Sequence, residues 1–338
     1  MKRILCILSI GLCFFAATEM IASEPILSEP IDFGKLSSPI LLRGDEKTAY
    51  RDPAVTYHNG TFYLFCTKVS VEENNDIFAY TVQCTSKDLQ HWTEPKTITP
   101  RDQNLNYSSP GNVIQYGKQW ILCLQTYPRP GAKWQPNGKV FYGNDQARIF
   151  IMRSSDLVQW SEPELLKVLG ANVPREKMGR MIDPYIIEDR NEQGKYWCFF
   201  KQNGQIAYSY SRNLIDWTFR GKTASGENPC VISYKNGYRL FYSPHNGIAC
   251  KTSEDLINWK DIGSKIVLGQ KDWLWAQGRL TAGFVLDMKN EPKIGKYLMF
   301  FHGGLGPKMS ENWTNFDINC NIGLAWSDDL ETWSWASE

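Results

Sequence analysis

The chain has 338 residues, enough for one large domain or two smaller ones with a substantial hydrophobic core. It contains 13 Trp, 16 Tyr and 16 Phe, and aromatic side chains favour strands and offer faces on which sugar rings stack. The formal net charge of +1 and the lack of a basic stripe argue against a nucleic-acid partner.

The first residues have the pattern of a targeting segment. Lys2 and Arg3 precede an apolar stretch, residues 4–17, that is too short to span a bilayer. We therefore predict a signal peptide over residues 1–23 and a protein exported to the periplasm or the medium, without a membrane span. Residues 24–47 contain three prolines and are predicted to form an irregular lead-in to a domain over residues 48–338.

Seven cysteines follow the predicted leader, and most of them lie inside apolar strand patterns. Buried small hydrophobic residues are therefore expected rather than zinc ligands. A disulfide between Cys66 and Cys84 is left open.

One short phrase, a Ser-x-Asp/Asn-Leu turn followed three residues later by Trp, recurs five times along the chain. Its copies begin at Ser86, Ser154, Ser211, Ser253 and Ser327. Each copy follows an alternating apolar strand, and a glycine turn with a second aromatic strand lies upstream. Four-stranded units repeated in this way are typical of propeller blades.

We therefore predict an all-β fold, a five-bladed β-propeller with four antiparallel strands per blade and an active site at the central channel. The predicted blades span residues 48–104, 105–168, 178–222, 223–266 and 274–338. An open sandwich of similar hairpins is the alternative, but it does not explain five copies of one turn.

Three carboxylates occur where the inner strands of three predicted blades begin. They are Asp52 in Arg51-Asp52-Pro53, Asp183 in Ile182-Asp183-Pro184 and Glu227 in Glu227-Asn228-Pro229. Inner strands line the channel of a propeller, so these side chains are predicted to converge. Crowded like charges destabilise a fold unless a proton or a partner relieves them, which favours a functional site.

Cleavage of a glycosidic bond needs one carboxylic acid to protonate the leaving oxygen and one carboxylate to activate water or attack carbon. A third carboxylate can raise the pKa of the acid. Arg51 and Arg180 are predicted either to tune the acids and bind sugar hydroxyls or to form structural ion pairs. Asn112 and Arg279, near the inner strands of blades two and five, are further candidates for substrate binding.

The three motifs, in this order and with their hairpins Asn59-Gly60, Gly194-Lys195-Tyr196 and Gly237-Tyr238-Arg239, resemble those of family 43 glycoside hydrolases. The resemblance covers nearly all of the predicted mature chain. It implies an inverting hydrolase of arabinofuranosides, xylosides or galactosides in plant or related polysaccharides. Asp52 would be the base, Glu227 the acid, and Asp183 the residue that modulates the pKa of the acid.

The resemblance also implies that no cofactor is required, although some relatives hold a hydrated cation in the channel. His302 would be its ligand here, with a structural calcium as the expected ion, and a buried structural histidine is the alternative. Two features depart from the family pattern. Blade two keeps only Pro110 of a common Trp-Ala-Pro phrase, and the inserts at 129–145 and 312–319 have no counterpart that we identify.

Two rival functions stay open. Retaining fructan and sucrose hydrolases share the fold and the three acids, but their first motif is Asn-Asp-Pro-Asn, whereas this chain has Arg51-Asp52-Pro53-Ala54. A non-catalytic sugar-binding propeller is the other alternative. The predicted partner in every case is a carbohydrate, and the sequence leaves the oligomeric state open.

Overall fold

The computed structural model describes residues 30–135, 143–244, 246–305 and 319–337. They form five antiparallel sheets that correspond to the five predicted blades. The predicted signal peptide and much of the two inserts lie outside the described residues. Blade one consists of β2 (Thr48–His58), β3 (Thr61–Val71), β4 (Ile77–Ser86) and β5 (Lys96–Thr97), and blade two of β6 (Tyr107–Tyr116), β7 (Gln119–Thr126), β8 (Ile149–Ser154) and β9 (Glu164–Leu165). Blade three consists of β10 (Ile182–Glu188), β11 (Tyr196–Gln202), β12 (Gln205–Ser211) and β13 (Trp217–Ser225). Blade four consists of β14 (Glu227–Tyr234), β15 (Gly237–Ser243), β16 (Ile248–Ser253) and β17 (Lys260–Ile266).

Blade five closes the ring with strands from both ends of the described chain. It consists of β18 (Arg279–Met288), β19 (Lys296–Gly304), β20 (Asn321–Ser327) and β21 (Trp333–Ser334), with β1 (Ile40–Leu42) from the amino-terminal part. Both β1 and β21 pair antiparallel with β20, at different points along it. Part of the segment predicted as an irregular lead-in, the β1 strand, thus pairs with the last blade.

The five repeated turns have one conformation. The leucine of each copy has a positive φ between 58° and 67°, and each is fully or almost fully buried. In the first copy, Ser86 Oγ accepts hydrogen bonds from the backbone N–H groups of Asp88 and Leu89, and Asp88 Oδ1 accepts from those of Gln90 and His91. These bonds and the burial of the leucine offset the backbone strain.

Helical structure in the described residues is limited to five short 3-10 helices, Phe33–Lys35, Glu73–Asn75, Arg175–Lys177, Gly269–Lys271 and Leu274–Ala276. No helix in this part of the chain has the length and apolar character needed to cross a bilayer. All seven cysteines of the described residues are buried, and Cys66 and Cys84 are free thiols that do not form a disulfide with each other.

Candidate active site

The inner strand of every blade is interrupted at the same point by a residue with a left-handed backbone. These five residues, which we call the bulge residues, have φ between 42° and 54° and are Asp52, Ser109, Asp183, Asn228 and Ala282. In each blade the pairing register with the second strand shifts at this point. Such bulges redirect side chains, and all five bulge residues line one narrow cavity on the propeller axis.

The positions of the bulges change how the inner strands of blades four and five align with those of the other blades. Glu227 does not match Asp52 and Asp183, because Asn228 is the bulge residue of blade four and Glu227 precedes it. In blade five the matching residue is Ala282, three positions after Arg279. The acids nevertheless converge, since the backbone N–H of Asn228 donates to Asp183 Oδ2 at 3.4 Å.

A second set of residues lies on the second strands, opposite the residue before each bulge. They are Thr67, Gln125, Lys201, Ser243 and His302, one from each blade in order. Four of them accept a hydrogen bond from the bulge N–H of the next blade around the ring. The acceptors are Thr67 Oγ1 (2.7 Å from Ser109 N), Gln125 Oε1 (2.5 Å from Asp183 N), Ser243 Oγ (3.0 Å from Ala282 N) and His302 Nδ1 (3.0 Å from Asp52 N).

The hydrogen bond from the Asp52 backbone gives His302 a structural role. It is fully buried and connects the last blade to the first, and accepting at Nδ1 places its proton on Nε2. The described residues contain no cluster of three or more His, Cys, Asp or Glu suited to a metal ion. A metal at His302 and a calcium ion in the channel remain predictions, and no chemical step below depends on them.

Asp52 is held as a hydrogen-bond acceptor. Its Oδ2 accepts from Ser109 Oγ at 2.9 Å and from Thr67 Oγ1 at 3.1 Å, while Oδ1 lies 3.5 Å from His302 Nδ1. Hydroxyl donors stabilise an ionised carboxylate and fix its direction. This is the environment that a base, or a nucleophile, requires.

The surroundings of Asp183, unlike those of Asp52, favour the protonated carboxyl group. Burial first, and then the charges of Glu227 and Asp52, raise its pKa from 3.8 to about 7, although Lys201 lowers it. The carboxyl group therefore exchanges its proton near neutral pH. Burial and the two neighbouring acids thus favour the protonated form of Asp183.

The raised pKa of Asp183 predicts a pH-dependent stability difference. The folded chain binds the proton of Asp183 more tightly than the unfolded chain does. Ionisation of this group therefore lowers the free energy of unfolding above about pH 7. This loss of stability disappears as the pH falls toward 4. We expect the Asp183→Asn variant, which cannot ionise at this position, to gain stability relative to the wild type between about pH 5 and pH 8. Urea unfolding of both proteins at several pH values measures this difference, and a difference independent of pH would contradict the assignment.

Glu227 is the most accessible of the three acids, and its carboxylate contacts cations from the two neighbouring blades. Lys201 Nζ forms an ion pair with Oε2, and Arg279 Nη2 lies 4.0 Å from Oε1. The side chains of Glu227, Lys201 and Arg279 are 23%, 23% and 24% exposed. The cluster is therefore partly accessible from solvent.

The remaining predicted residues differ in their surroundings. Arg180 lies against the Tyr127 ring and donates to Tyr127 Oη and the Gly143 carbonyl, both at 3.3 Å, whereas Arg51 is half-buried directly beside Asp52. Asn112 is buried, and its amide exchanges hydrogen bonds of 2.7 and 2.9 Å with the Ile186 backbone of the next blade. These bonds join blades two and three, and the role of Asn112 in substrate binding stays a prediction.

Four side chains that support the acids were not predicted from the sequence. They are Thr67, Ser109 and Gln125 as partners of the bulges, and Lys201 as the partner of Glu227. Each second strand contains an aromatic or apolar run that starts at Phe62, Trp120, Tyr196, Tyr238 or Tyr297. The supporting residue is the sixth in every run. Alignment of these runs would have identified the positions.

Comparison with protein families gives one match. The model described as glycosyl hydrolases family 32 N-terminal domain matches residues 46–234, which is more than half of the chain. A search of curated proteins found no match.

Solved structures with the same fold include glycoside hydrolases of family 43. A thermostable family-43 glycoside hydrolase aligns with a TM-score of 0.58 and 13% identity, over 91% of this chain and 96% of the other. An exo-β-1,3-galactanase from Clostridium thermocellum aligns with a TM-score of 0.58 and 13% identity, over 84% and 61%. A xylan β-1,4-xylosidase from Bacillus halodurans C-125 has a TM-score of 0.58 and 14% identity, over 86% and 54%. They confirm the five-bladed, family 43-like propeller as the fold.

Proposed function

Because the chain belongs to the family of the glycosyl hydrolase family 32 N-terminal domain and is thereby a glycoside hydrolase, we propose that it is an exported enzyme that cleaves O-glycosidic bonds with inversion. Arabinofuranosides, xylosides or galactosides of plant or related saccharides are the proposed substrates. The observation that carries the proposal is the convergence of three acids: Asp52 and Asp183 line one axial cavity, and Glu227 lies close enough for its charge to act on Asp183. Each acid has a different electrostatic environment.

We assign a catalytic role to each of the three acids from its surroundings. Asp52, fixed by two hydroxyl donors, takes a proton from the water that attacks the anomeric carbon. Glu227, the most exposed acid, protonates the leaving oxygen. Asp183, buried between them, influences the protonation of Glu227 through its own charge, because the two groups are electrostatically coupled. The proton taken from water then returns to the pair formed by Asp183 and Glu227.

A second candidate function is retaining hydrolysis of fructans or sucrose. The match to the family 32 domain over residues 46–234 favours it, and the Arg51-Asp52-Pro53-Ala54 motif argues against it. In that reaction the carboxylate of Asp52 would attack carbon and form a covalent intermediate, which water then hydrolyses. The placement of Asp52 between two hydroxyl donors suits either task.

A substrate panel tests the proposal. We expect the purified enzyme to hydrolyse a 4-nitrophenyl arabinofuranoside, xyloside or galactoside, and the first anomer released, observed by proton NMR, to have inverted configuration. Turnover of sucrose or inulin with retention would instead establish the second function. Sugar binding without hydrolysis of any substrate would refute both enzymatic proposals and favour a binding propeller. Amino-terminal sequencing of the exported protein tests cleavage near residue 23.

A further inference from the structure

Lys201 breaks the pattern of hydrogen bonds that joins neighbouring blades. The other four blades place a Thr, Gln, Ser or His at this position, and each of those side chains accepts a hydrogen bond from the next bulge. An ammonium group has donors only, so Lys201 cannot do so. The N–H of Asn228 turns to Asp183 Oδ2 instead, at 3.4 Å compared with 2.5–3.0 Å in the other blades. The lysine thus weakens a structural contact, which is typical of a functional position.

The charge of Lys201 also conflicts with the chemistry proposed for its partner. An acid must carry a proton when the leaving oxygen departs, but a cation next to a carboxylate favours the ionised form. Lys201 contacts Glu227 Oε2, and Arg279 lies near Oε1 of the same group. The ion pair between Lys201 and Glu227 must therefore open before Glu227 can act as the acid. A ligand that engages Lys201 would remove this restraint.

The positions of these charges indicate which chemical group of a ligand could pair with Lys201 in place of Glu227. Two cations from adjacent blades flank the two oxygens of one planar carboxylate. A carboxylate of the substrate would offer Lys201 the same chemistry. The ammonium has three donors, and its side chain is partly exposed, so a bound ligand can reach it.

We propose that the substrate is a glycoside whose sugar carries a carboxylate, a uronide, and that Lys201 selects it by pairing with that carboxylate. The inference rests on the proposed glycosidase function. Binding transfers the ion pair of Lys201 from Glu227 to the sugar, and Glu227 takes up a proton from solvent. The same group then protonates the leaving oxygen, so the anionic substrate prepares its own acid catalyst. Lys201 acts in this scheme as a specificity and positioning residue.

Matched substrate pairs test the proposal in the full-length enzyme. The 4-nitrophenyl glycosides of glucuronic and galacturonic acid differ from those of glucose and galactose only at carbon 6, and both anomers are tested. We expect kcat/KM for the preferred uronide to exceed that of its neutral partner by roughly 10- to 100-fold, the range of one charged hydrogen bond. Lys201→Met should remove most of this preference, whereas Lys201→Arg should retain it. Lys289→Met, which changes a surface lysine paired with Asp328, is the matched control and should behave like the wild type.

A binding measurement separates the two proposals. Calorimetry with free galacturonate and glucuronate, compared with galactose and glucose, reports recognition without turnover. Hydrolysis of neutral glycosides with no uronide preference would overturn the role of Lys201 and leave the glycosidase function intact. Uronate binding that depends on Lys201, without hydrolysis of any glycoside, would support recognition and overturn the glycosidase function. A uronide preference that survives in Lys201→Met would show that other groups bind the carboxylate.

Discussion

Replacement of Glu227 by Gln is expected to lower kcat/KM by about 10²- to 10⁴-fold, the usual contribution of a general acid. Glutamine keeps the shape of the side chain but has no proton to give to the leaving oxygen. The ion pair with Lys201 is partly solvent-exposed, so the free energy of unfolding should change little. Initial rates on the best substrate of the panel measure the effect, and circular dichroism establishes that the variant is folded.

The Asp52→Asn variant is expected to lose activity to a similar degree, because an amide neither accepts the proton of water nor attacks carbon. The matched control is Glu331→Gln, since the carboxylate of Glu331 is exposed and lies 3.5 Å from Arg239. It should keep the wild-type rate. Near-normal turnover by Glu227→Gln, with Asp183→Asn inactive, would move the acid function from Glu227 to Asp183.

The largest expected loss of stability comes from Gly111→Ala. A Cβ atom at this position would lie 1.5 Å from the Pro184 carbonyl oxygen and 2.9 Å from Cys123 Sγ. Because the first of these is a backbone atom, the inner strands of blades two and three would have to separate. We expect the free energy of unfolding to fall by about 3 kcal/mol or more, at the upper end of the cost of overpacking. Urea unfolding followed by tryptophan fluorescence measures it.

Gly304→Ala is the matched control in another blade. Its added Cβ atom would meet the nearest side-chain atom, Cys320 Sγ, at 3.6 Å, an ordinary van der Waals distance. Its stability should stay within about 1 kcal/mol of the wild type, since alanine also restricts the unfolded chain. Equal effects of the two substitutions would show that close approach at Gly111 does not hold these blades together.

The repeated turns explain why the fold was predictable. One local conformation, with a buried leucine at positive φ, was present five times as one phrase in the sequence, so the number of blades could be counted. The position of Glu227 was less predictable for a physical reason. Asn tolerates a left-handed backbone well, and Asn228 therefore forms the bulge while the acid precedes it. An alignment by acidic residues shifts this blade by one position.

Long-range features could not be predicted. The β1 strand pairs Leu42 with Ile322, and no local pattern in a proline-containing segment specifies a partner so distant in sequence. The role of Lys201 also depends on tertiary structure. Lysine at the end of a strand is usually a solvated residue, and only the comparison of five second strands shows that it replaces a hydrogen-bond acceptor.

The hydrogen bond from the Asp52 backbone to His302 bears on how the enzyme loses activity on heating or in denaturant. The ring has one seam, between its first and last blades, and β1 reinforces that seam. Asp52 is part of it, so any parting of these two blades displaces the proposed base while the other blade contacts persist. We therefore expect catalysis to depend on the closure of the whole ring, and heat or denaturant to inactivate the protein before it unfolds.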